Sequence, residues 1–344
     1  MSAQFDQYPL LVELAKAGIV GRGGAAFPTH LKWLRLKELG TPVGYVLCNA
    51  SEGELNVHKD AYILEHYPEK VIAGMVVAMD FLDTTEAYFN INETYFNTYG
   101  PRLKSITDKI EQDHGWKFHY FIETPPSYIG GETGALLNAI EGKRCQPRLS
   151  PPSPSITGIH GKPVLVNNVE TYYDIARVVE GSFEPTRFIT IVGPVPHPGV
   201  FSVNRDITVH EALQQTSNLP AQAYFLQVGG SASGEVVTSL QGESHKIDGC
   251  GTIEVFGNDA SPYDVLYRWF EFYEHESCGK CTPCREGTYR LLHLLKSMKY
   301  GEAIPWNEIK PIIHAMKCTS FCDLGKSLPI PVESYMKNVL NMGE

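Results

Sequence analysis

The sequence predicts an α/β protein in three parts. A largely parallel α/β domain takes residues 1–185, a small β-grasp-like module 186–257 and a helical bundle 258–344. Three observations carry this prediction. Strand-like and helix-like patterns alternate through the first half, the order of a parallel sheet with helical crossovers. From about Arg187 short β-rich runs with Gly/Pro turns take over. From about Ser261 onward apolar residues recur at helical spacing.

Each element can be read in order. Leu10 to Ala17 is apolar-periodic and stops at Gly18. A glycine loop follows, then a short helix near Pro28 to Lys37. Tyr45 to Cys48 is a compact strand and Lys59 to Phe81 one long helical run. Glu86 to Ile91 alternates as a strand, Pro101 to Glu111 is helical, and Lys117 to Ile122 is strand-like. Gly131 to Ile140 opens a helix with Glu132 near its start. Prolines clustered over Pro147 to Pro154 mark a wrapped, extended segment. In the middle module, strands Phe188 to Val192, Val200 to Val203 and Tyr224 to Val228 flank a helix over Val209 to Gln215. The last helices are Tyr263 to Glu276, Glu286 to Met298, Trp306 to Met316 and Glu333 to Asn341.

Composition excludes several functions. The 344 residues carry 29 Lys and Arg against 39 Asp and Glu, a net charge of −10. That balance argues against nucleic-acid or anionic-membrane partners. The strongly apolar run Val71 to Met79 is interrupted by Gly74 and is far short of a membrane span. The first residues, Met-Ser-Ala-Gln-Phe-Asp, lack a charged stretch followed by an apolar core. These features predict a soluble cytoplasmic protein whose thiols stay reduced.

In that setting the cysteines read as ligands. Glu276-Ser-Cys-Gly-Lys-Cys-Thr-Pro-Cys-Arg-Glu-Gly287 places Cys278, Cys281 and Cys284 at two-residue intervals, and 37 residues separate Cys284 from Cys322. Three thiols so spaced converge only if a compact loop wraps one centre, and a distant fourth closes it. Soft thiolates in this pattern suit an iron–sulfur cluster, and four suffice for [4Fe–4S]. Structural zinc, the main competitor, usually takes paired CxxC or CxxC with histidines. Cys318 competes with Cys322 as fourth ligand, and the turn-like Cys-Asp-Leu-Gly favours Cys322. Cys48, Cys145 and Cys250 are isolated and read as packing residues.

The loop Gly21-Arg-Gly-Gly-Ala-Ala-Phe27 follows a helix rather than a strand, so it is not a Rossmann dinucleotide fingerprint. Its glycines would still let backbone N–H groups approach a phosphate or a flavin, or simply make a tight turn. Further blocks then accumulate: Gly21 to Trp33, Cys48-Asn-Ala-Ser-Glu52, Tyr128-Ile-Gly-Gly-Glu132, Glu141-Gly-Lys-Arg144, Gly161 to Thr171 and the cysteine run. With these the chain resembles the NADH-oxidising flavoprotein subunit of respiratory complex I, shared with bifurcating hydrogenases and NAD-dependent formate dehydrogenases. The resemblance runs from about Gly18 to Leu324.

The resemblance implies a Rossmann-like FMN-binding domain, a ubiquitin-like (β-grasp) module and a four-helix bundle holding one [4Fe–4S] on Cys278, Cys281, Cys284 and Cys322. It implies that Gly21, Arg22, Gly23, Gly24 and Lys32 cradle the flavin, joined by Asn49 and Glu52 from a strand end. Tyr128, Gly131 and Glu132 would approach from another helix start. Asn167, Asn168 and Thr171 would hold the phosphate–ribityl side, while Phe27 and Glu54 would face the nicotinamide dinucleotide. No side chain is assigned as a catalytic nucleophile or base. Partners implied are further iron–sulfur subunits of a larger complex, including a small [2Fe–2S] chain.

The dinucleotide site departs from the family pattern. Its second aromatic, eight residues after Phe27, is Arg35 here, and the aromatic and lysine of Lys-Pro-Pro-Phe-Pro are Ser153 and Ser150. Thr133 replaces a glutamate, Ser51 an aspartate, and Asn92-Glu-Thr-Tyr95 stands for Arg-Gly-Glu-Tyr. A base stacked on an aromatic contributes roughly 1–3 kcal/mol. Two additive losses would weaken binding about a hundredfold or more. Arg35 would stack on adenine or meet a 2′-phosphate, whereas Glu54 suits an unphosphorylated ribose. Two functions therefore stand: electron exchange between NAD(H) or NADP(H) and clusters through FMN, or electron transfer alone after loss of nicotinamide binding.

Overall fold

The computed structural model describes residues 7–299 and 302–342. The chain forms two compact units, the first up to Gly53 plus His58–Phe188, the second Glu54–Val57 plus Ile189 onward. Among the described residues no helix is long and apolar enough to cross a membrane.

The first unit contains α1 (Pro9–Lys16), α2 (Thr29–Lys37), β1 (Tyr45–Ala50), α3 (Lys59–His66), α4 (Pro68–Leu82), β2 (Glu86–Asn92) and α5 (Glu93–His114). It continues with β3 (Lys117–Glu123), α6 (Thr133–Ile140), α7 (Pro154–Thr157), β4 (Val164–Asn168) and α8 (Val169–Val179). The sheet is parallel with order β3-β2-β1-β4. The inner strand β1 is an almost unbroken buried run, as a parallel sheet with both faces covered requires. Leu47, Val164 and Val166 pack with Leu136 and Leu137 of α6. The edge strand β3 instead mixes buried and exposed positions.

Three differences from the sequence reading have local causes. The run Lys59 to Phe81 is two helices, because Tyr67 leaves helical geometry (φ −136°, ψ 37°) and Pro68 starts α4 afresh. Helix α5 starts at Glu93, capped by the Asn92 side chain on the Tyr95 N–H, and carries Pro101 inside it. Strand β4 and helix α8, within the Gly161–Thr171 block and beyond, are not among the elements read from the sequence pattern. They complete the sheet and cover it.

The second unit contains β5 (Thr186–Val192, its last four residues), β6 (Gly199–Asn204), α9 (Val209–Gln215), β7 (Tyr224–Val228), β8 (Glu235–Thr238) and β9 (Thr252–Gly257). These make a mixed sheet ordered β6-β5-β9-β7-β8, with β5 and β9 parallel and β7 antiparallel to both neighbours. A capping box between Thr208 and Glu211 starts α9. The helices that follow are α10 (Pro262–Glu276), α11 (Thr282–Lys296), α12 (Trp306–Thr319), α13 (Asp323–Ser327) and α14 (Pro329–Asn338). Helix α14 covers the sheet edge: Ser334 Oγ accepts from Val236 N at 2.8 Å, and Asn338 Nδ2 donates to Val236 O at 2.7 Å. That protects an edge strand which would otherwise offer unpaired backbone groups.

Gly74 shows how tightly the first unit is built. A Cβ there would lie 2.0 Å from the carbonyl oxygen of Tyr172, so α4 presses directly on the backbone of α8. Gly74→Ala is expected to cost roughly 1–3 kcal/mol, the range for overpacking a close helix contact. Chemical denaturation checks this, as a lowered unfolding midpoint with an unchanged denaturant slope.

Candidate functional site

The strand order creates the first site. The chain steps outward from β1 to β2 and β3, then returns to the opposite side of β1 as β4. Such a reversal leaves a crevice beyond the carboxyl ends of β1 and β4, where α/β proteins bind ligands. In register, Asn49 at the end of β1 stands beside Asn168 at the end of β4.

The predicted flavin residues gather there. Gly21 N donates to Phe27 O at 2.9 Å, which closes the glycine loop. The loop is pinned to α8 by Arg22 N donating to Thr171 Oγ1 at 3.1 Å. Asn49 Nδ2 donates to Gly131 O at 3.0 Å, bringing the turn before α6 to the same crevice. Asn168 caps α8 by accepting from Glu170 N at 3.0 Å. Lys32 Nζ donates to Val166 O at 3.0 Å, and burial lowers its pKa. No carboxylate pairs with Lys32 among the described residues, so this ammonium suits an anionic ligand.

Two glycines indicate that the crevice fits a flat ligand. A Cβ on Gly23 would meet Asn168 Cβ at 3.8 Å, and one on Gly131 would meet Asn49 Nδ2 at 4.0 Å, both ordinary contacts. Neither glycine has a positive φ. The protein's own packing therefore does not demand glycine at either place. Gly130 differs: its Cβ would fall 1.7 Å from Glu123 Oε1. Gly23 and Gly131 thus leave bare backbone that the packing itself does not require, as a flavin lying against it would.

Other predicted residues turn their polar groups into the protein. Glu52, with a φ of 44°, accepts from Asp60 N at 2.7 Å, Ala61 N at 3.0 Å and Tyr95 OH at 2.8 Å. Burial, then the neighbouring Asp60, pushes its pKa up to about 8. Glu132 caps α6 through Ala135 N at 2.7 Å. Asn167 is buried, and its amide satisfies Trp33 Nε1 at 3.2 Å and Val166 O at 3.0 Å when its oxygen faces the indole. Tyr128 forms the turn against which Gly53 presses, with a Gly53 Cβ only 2.6 Å from its Cα. Gly24 provides the turn of the loop at φ 113°.

Glu54 belongs to the second unit. Its carboxylate accepts from Ala232 N at 2.8 Å and Ser233 Oγ at 2.6 Å. Phe27 is overlaid by the Arg35 guanidinium, 5.4 Å from the ring centroid. A guanidinium thus occupies the place where the family pattern has a second aromatic.

Sequence reasoning missed a buried charge cluster beneath the crevice. Lys59 Nζ lies 2.5 Å from Asp60 Oδ1, 3.0 Å from Asn168 Oδ1 and 3.3 Å from Glu170 Oε2. Arg22 approaches Asp174 at 3.6 Å. Burial, then Glu170, pushes Asp174 up to about 7. A Lys-Asp pair opening a helix reads as solvated surface, so no local signal marks this cluster.

The second site is built by three helix ends. Cys278 follows α10, Cys281 is the N-cap of α11, Cys284 lies in its first turn, and Cys322 is the N-cap of α13. The 15-residue α11 thus turns its positive end toward the thiols. Phe321 N donates to Cys281 Sγ at 3.4 Å, and the N–H groups of Leu324 and Gly325 reach Cys322. Burial pushes the Cys284 thiol up to about 11, against a hydrogen bond from Ser277, and the thiols of Cys281, Cys322 and Cys278 add to the rise. Cys318 points elsewhere: it is exposed on α12, 3.8 Å from His314 Nε2. Among the described residues no three His, Cys, Asp or Glu side chains close on a single metal ion. Four soft thiols, two of them already approached by backbone N–H groups, suit a cluster.

Comparisons with known proteins point the same way. The family described as the Nuo51 FMN-binding domain matches residues 14–177, and the NADH-ubiquinone oxidoreductase-F iron-sulfur binding region matches 264–341. The chain is 31% identical over 338 residues to the NADH-quinone oxidoreductase-F protein of Aquifex aeolicus, covering 90% of this chain and 79% of that one. It is 30% identical over 347 residues to the alpha subunit of the NAD-reducing hydrogenase HoxS of Cupriavidus necator, covering 91% of this chain and 56% of that one. A solved NAD+-reducing [NiFe]-hydrogenase in the H2-reduced state matches with TM-score 0.88 and 27% identity, over 97% of this chain. The chain spans 62% of that hydrogenase chain, less than two thirds.

Two tests follow from the geometry. Gly23→Ala and Gly131→Ala should fold with unchanged thermal midpoints yet retain at least tenfold less FMN, about 1.4 kcal/mol of affinity, measured by flavin fluorescence after gel filtration. Cys322→Ser should lose most of the iron and sulfide per chain after anaerobic reconstitution, whereas Cys318→Ser should keep them.

Proposed function

Since the chain belongs to the NADH-quinone oxidoreductase-F family, we propose that it is the FMN- and [4Fe–4S]-carrying subunit of a multi-subunit oxidoreductase, exchanging electrons between NAD(P)H and iron–sulfur centres. The observation that supports this most is the bare backbone at Gly23 and Gly131, facing one crevice at the strand-order reversal. We assign FMN to residues 1–185, and read the second unit as a ubiquitin-like module (186–257) and a cluster-binding bundle (258–344).

When bound, FMN supplies the conversion between hydride exchange and single-electron steps. The protein supplies placement. Gly21–Gly24 and Gly131 present backbone to the ring system, and Asn49 orients the Gly131 turn through its amide. Lys32 balances an anionic group with its ammonium, while Asn168 and Thr171 stand at the positive end of α8. Cys278, Cys281, Cys284 and Cys322 hold the cluster, with N–H groups from residues 321, 324 and 325 offsetting its negative charge. The partners are other iron–sulfur subunits, including a small [2Fe–2S] chain, in the cytoplasm.

A second reading has its own support. Arg35 covers Phe27, and both Glu54 oxygens are engaged by residues 232 and 233. A chain so altered would pass electrons between FMN, the cluster and a partner protein without a nicotinamide. Titrating anaerobically reconstituted protein with NADH and, separately, with NADPH distinguishes the two. Bleaching of the flavin absorbance by either donor is the expected result. Bound FMN that neither donor bleaches would establish the second reading instead.

A further inference from the structure

The two chain segments that carry the thiols meet at one aromatic ring. The first runs from Cys278 through Cys281 to Cys284 in the first turn of α11. The second joins α12 to α13 through Ser320, Phe321 and Cys322. Phe321 N donates to Cys281 Sγ at 3.4 Å, so one segment hydrogen-bonds a ligand of the other. Over the Phe321 ring, 4.0 Å from its centroid, stands the ammonium of Lys280. Lys280 directly precedes Cys281, and its aromatic partner directly precedes Cys322.

The loop aims this lysine. Gly279 turns the chain with a φ of 73°, its N–H donates to Ser277 Oγ at 3.4 Å, and its carbonyl accepts from Arg285 Nη1 at 2.9 Å. The peptide entering Lys280 is therefore held from the end of α10 and from α11. Phe321 is placed differently. It lies between the C-cap Ser320 of α12 and the N-cap Cys322 of α13, so its N–H belongs to neither helix. One side of this connection is already close-packed, since a Cβ on Gly325 would lie 3.1 Å from Cys284 Cβ. On the other side, the contact between Lys280 and Phe321 closes the two segments. All these residues lie in the second unit.

We propose that Lys280 is a positioning residue for the cluster: seated on Phe321, it ties the two thiol-bearing segments together and keeps the Phe321 N–H on Cys281. Its charge, held beside the ligands by the same contact, makes the cluster easier to reduce. A cation over an aromatic face is attracted by the ring quadrupole, more strongly where water is displaced. Lys280 and Phe321 are both half-buried. A reduced cluster is one charge more negative than an oxidised one. Hydrogen bonds to its sulfurs and a nearby cation therefore favour the reduced form and raise the potential. An arginine would serve in place of this lysine, because a guanidinium stays charged and stacks on an aromatic face. The inference rests on Cys278, Cys281, Cys284 and Cys322 as cluster ligands, and not on which donor reduces the flavin.

The test is the midpoint potential of the cluster in the full chain, reconstituted anaerobically and titrated under electron paramagnetic resonance, with iron and sulfide counted in each preparation. Lys280→Met should lower the potential by about 30 mV, a threefold change in the reduced-to-oxidised ratio at a fixed ambient potential. Lys280→Arg should stay close to the wild-type value. Phe321→Leu keeps the lysine and the backbone N–H but removes the ring, and should also lower the potential. With the ring gone, the Lys280→Met shift should fall to less than half its size in the wild-type chain. Equal Lys280→Met shifts in the two backgrounds, or a loaded chain whose potential ignores both substitutions, would overturn the clamp. If Lys280→Met assembles no cluster, Phe321→Leu decides: a lowered potential supports the clamp and an unchanged one refutes it. A wild-type chain that takes up no iron and sulfide would refute the cluster assignment and this inference together. Flavin bleaching by NADH and NADPH is read separately, so loss of the nicotinamide reading cannot pass for loss of this one.

Discussion

A lysine that is 2% exposed organises the crevice. Lys59 contacts Asp60, Asn168 and Glu170. Burial alone would lower its pKa, but Asp60, Glu170 and Glu52 outweigh this and keep it charged, above its ordinary value. A buried charge is tolerated only when its partners are fixed, because removing one leaves the rest uncompensated. Fixing those partners fixes the segments that carry them. Asp60 sits on α3, Asn168 ends β4, and Glu170, starting α8, accepts the Phe188 N–H at 2.8 Å. The ends of three elements thereby hold one geometry, and Arg22, facing Asp174, fastens the glycine loop to it.

This frame separates two kinds of glycine. Gly74, Gly130 and Gly134 are forced by the protein itself, since a Cβ on each would strike backbone or a buried carboxylate. Gly23 and Gly131 meet no such demand. Rigidity below and bare backbone above are what a preorganised cofactor site needs, because a loop already in place loses little freedom on binding. The polar residues divide similarly. Glu52, Glu132 and Asn167 spend their hydrogen bonds on helix starts and strand neighbours, so their contribution is to shape the crevice.

Much of this was legible in the sequence. Helix α9 and strand β7 fall where the periodicity placed them, and the cysteine run lies in the region that matches the iron-sulfur binding family. What stayed hidden depends on distant partners. Strand β8 is only four residues long, and β8 and β9 are specified by pairing with β7 more than by their own pattern. Lys59 and Asp60 look like the solvated start of a helix until Asn168 arrives beside them. Glu52 and Glu54 are two residues apart in an apparently uniform loop, yet one caps α3 and the other is bound by residues 232 and 233.

That divergence of two adjacent acids bears on how the units are used. The segment Glu54–Val57 is covalently part of the loop leaving β1, but its packing is with the second unit. Both carboxylate oxygens of Glu54 are held by the turn at 231–233. Helix α10 holds that turn with Arg268, Trp269 and Tyr273, and its C-cap Ser277 directly precedes Cys278. An acid with both carboxylate oxygens hydrogen-bonded is better positioned than one carried on a free loop. The changes at Arg35, Ser150 and Ser153 lie in the other unit and leave this arrangement intact. Substitutions confined to the first unit need not disturb the two hydrogen bonds that hold Glu54 in the second.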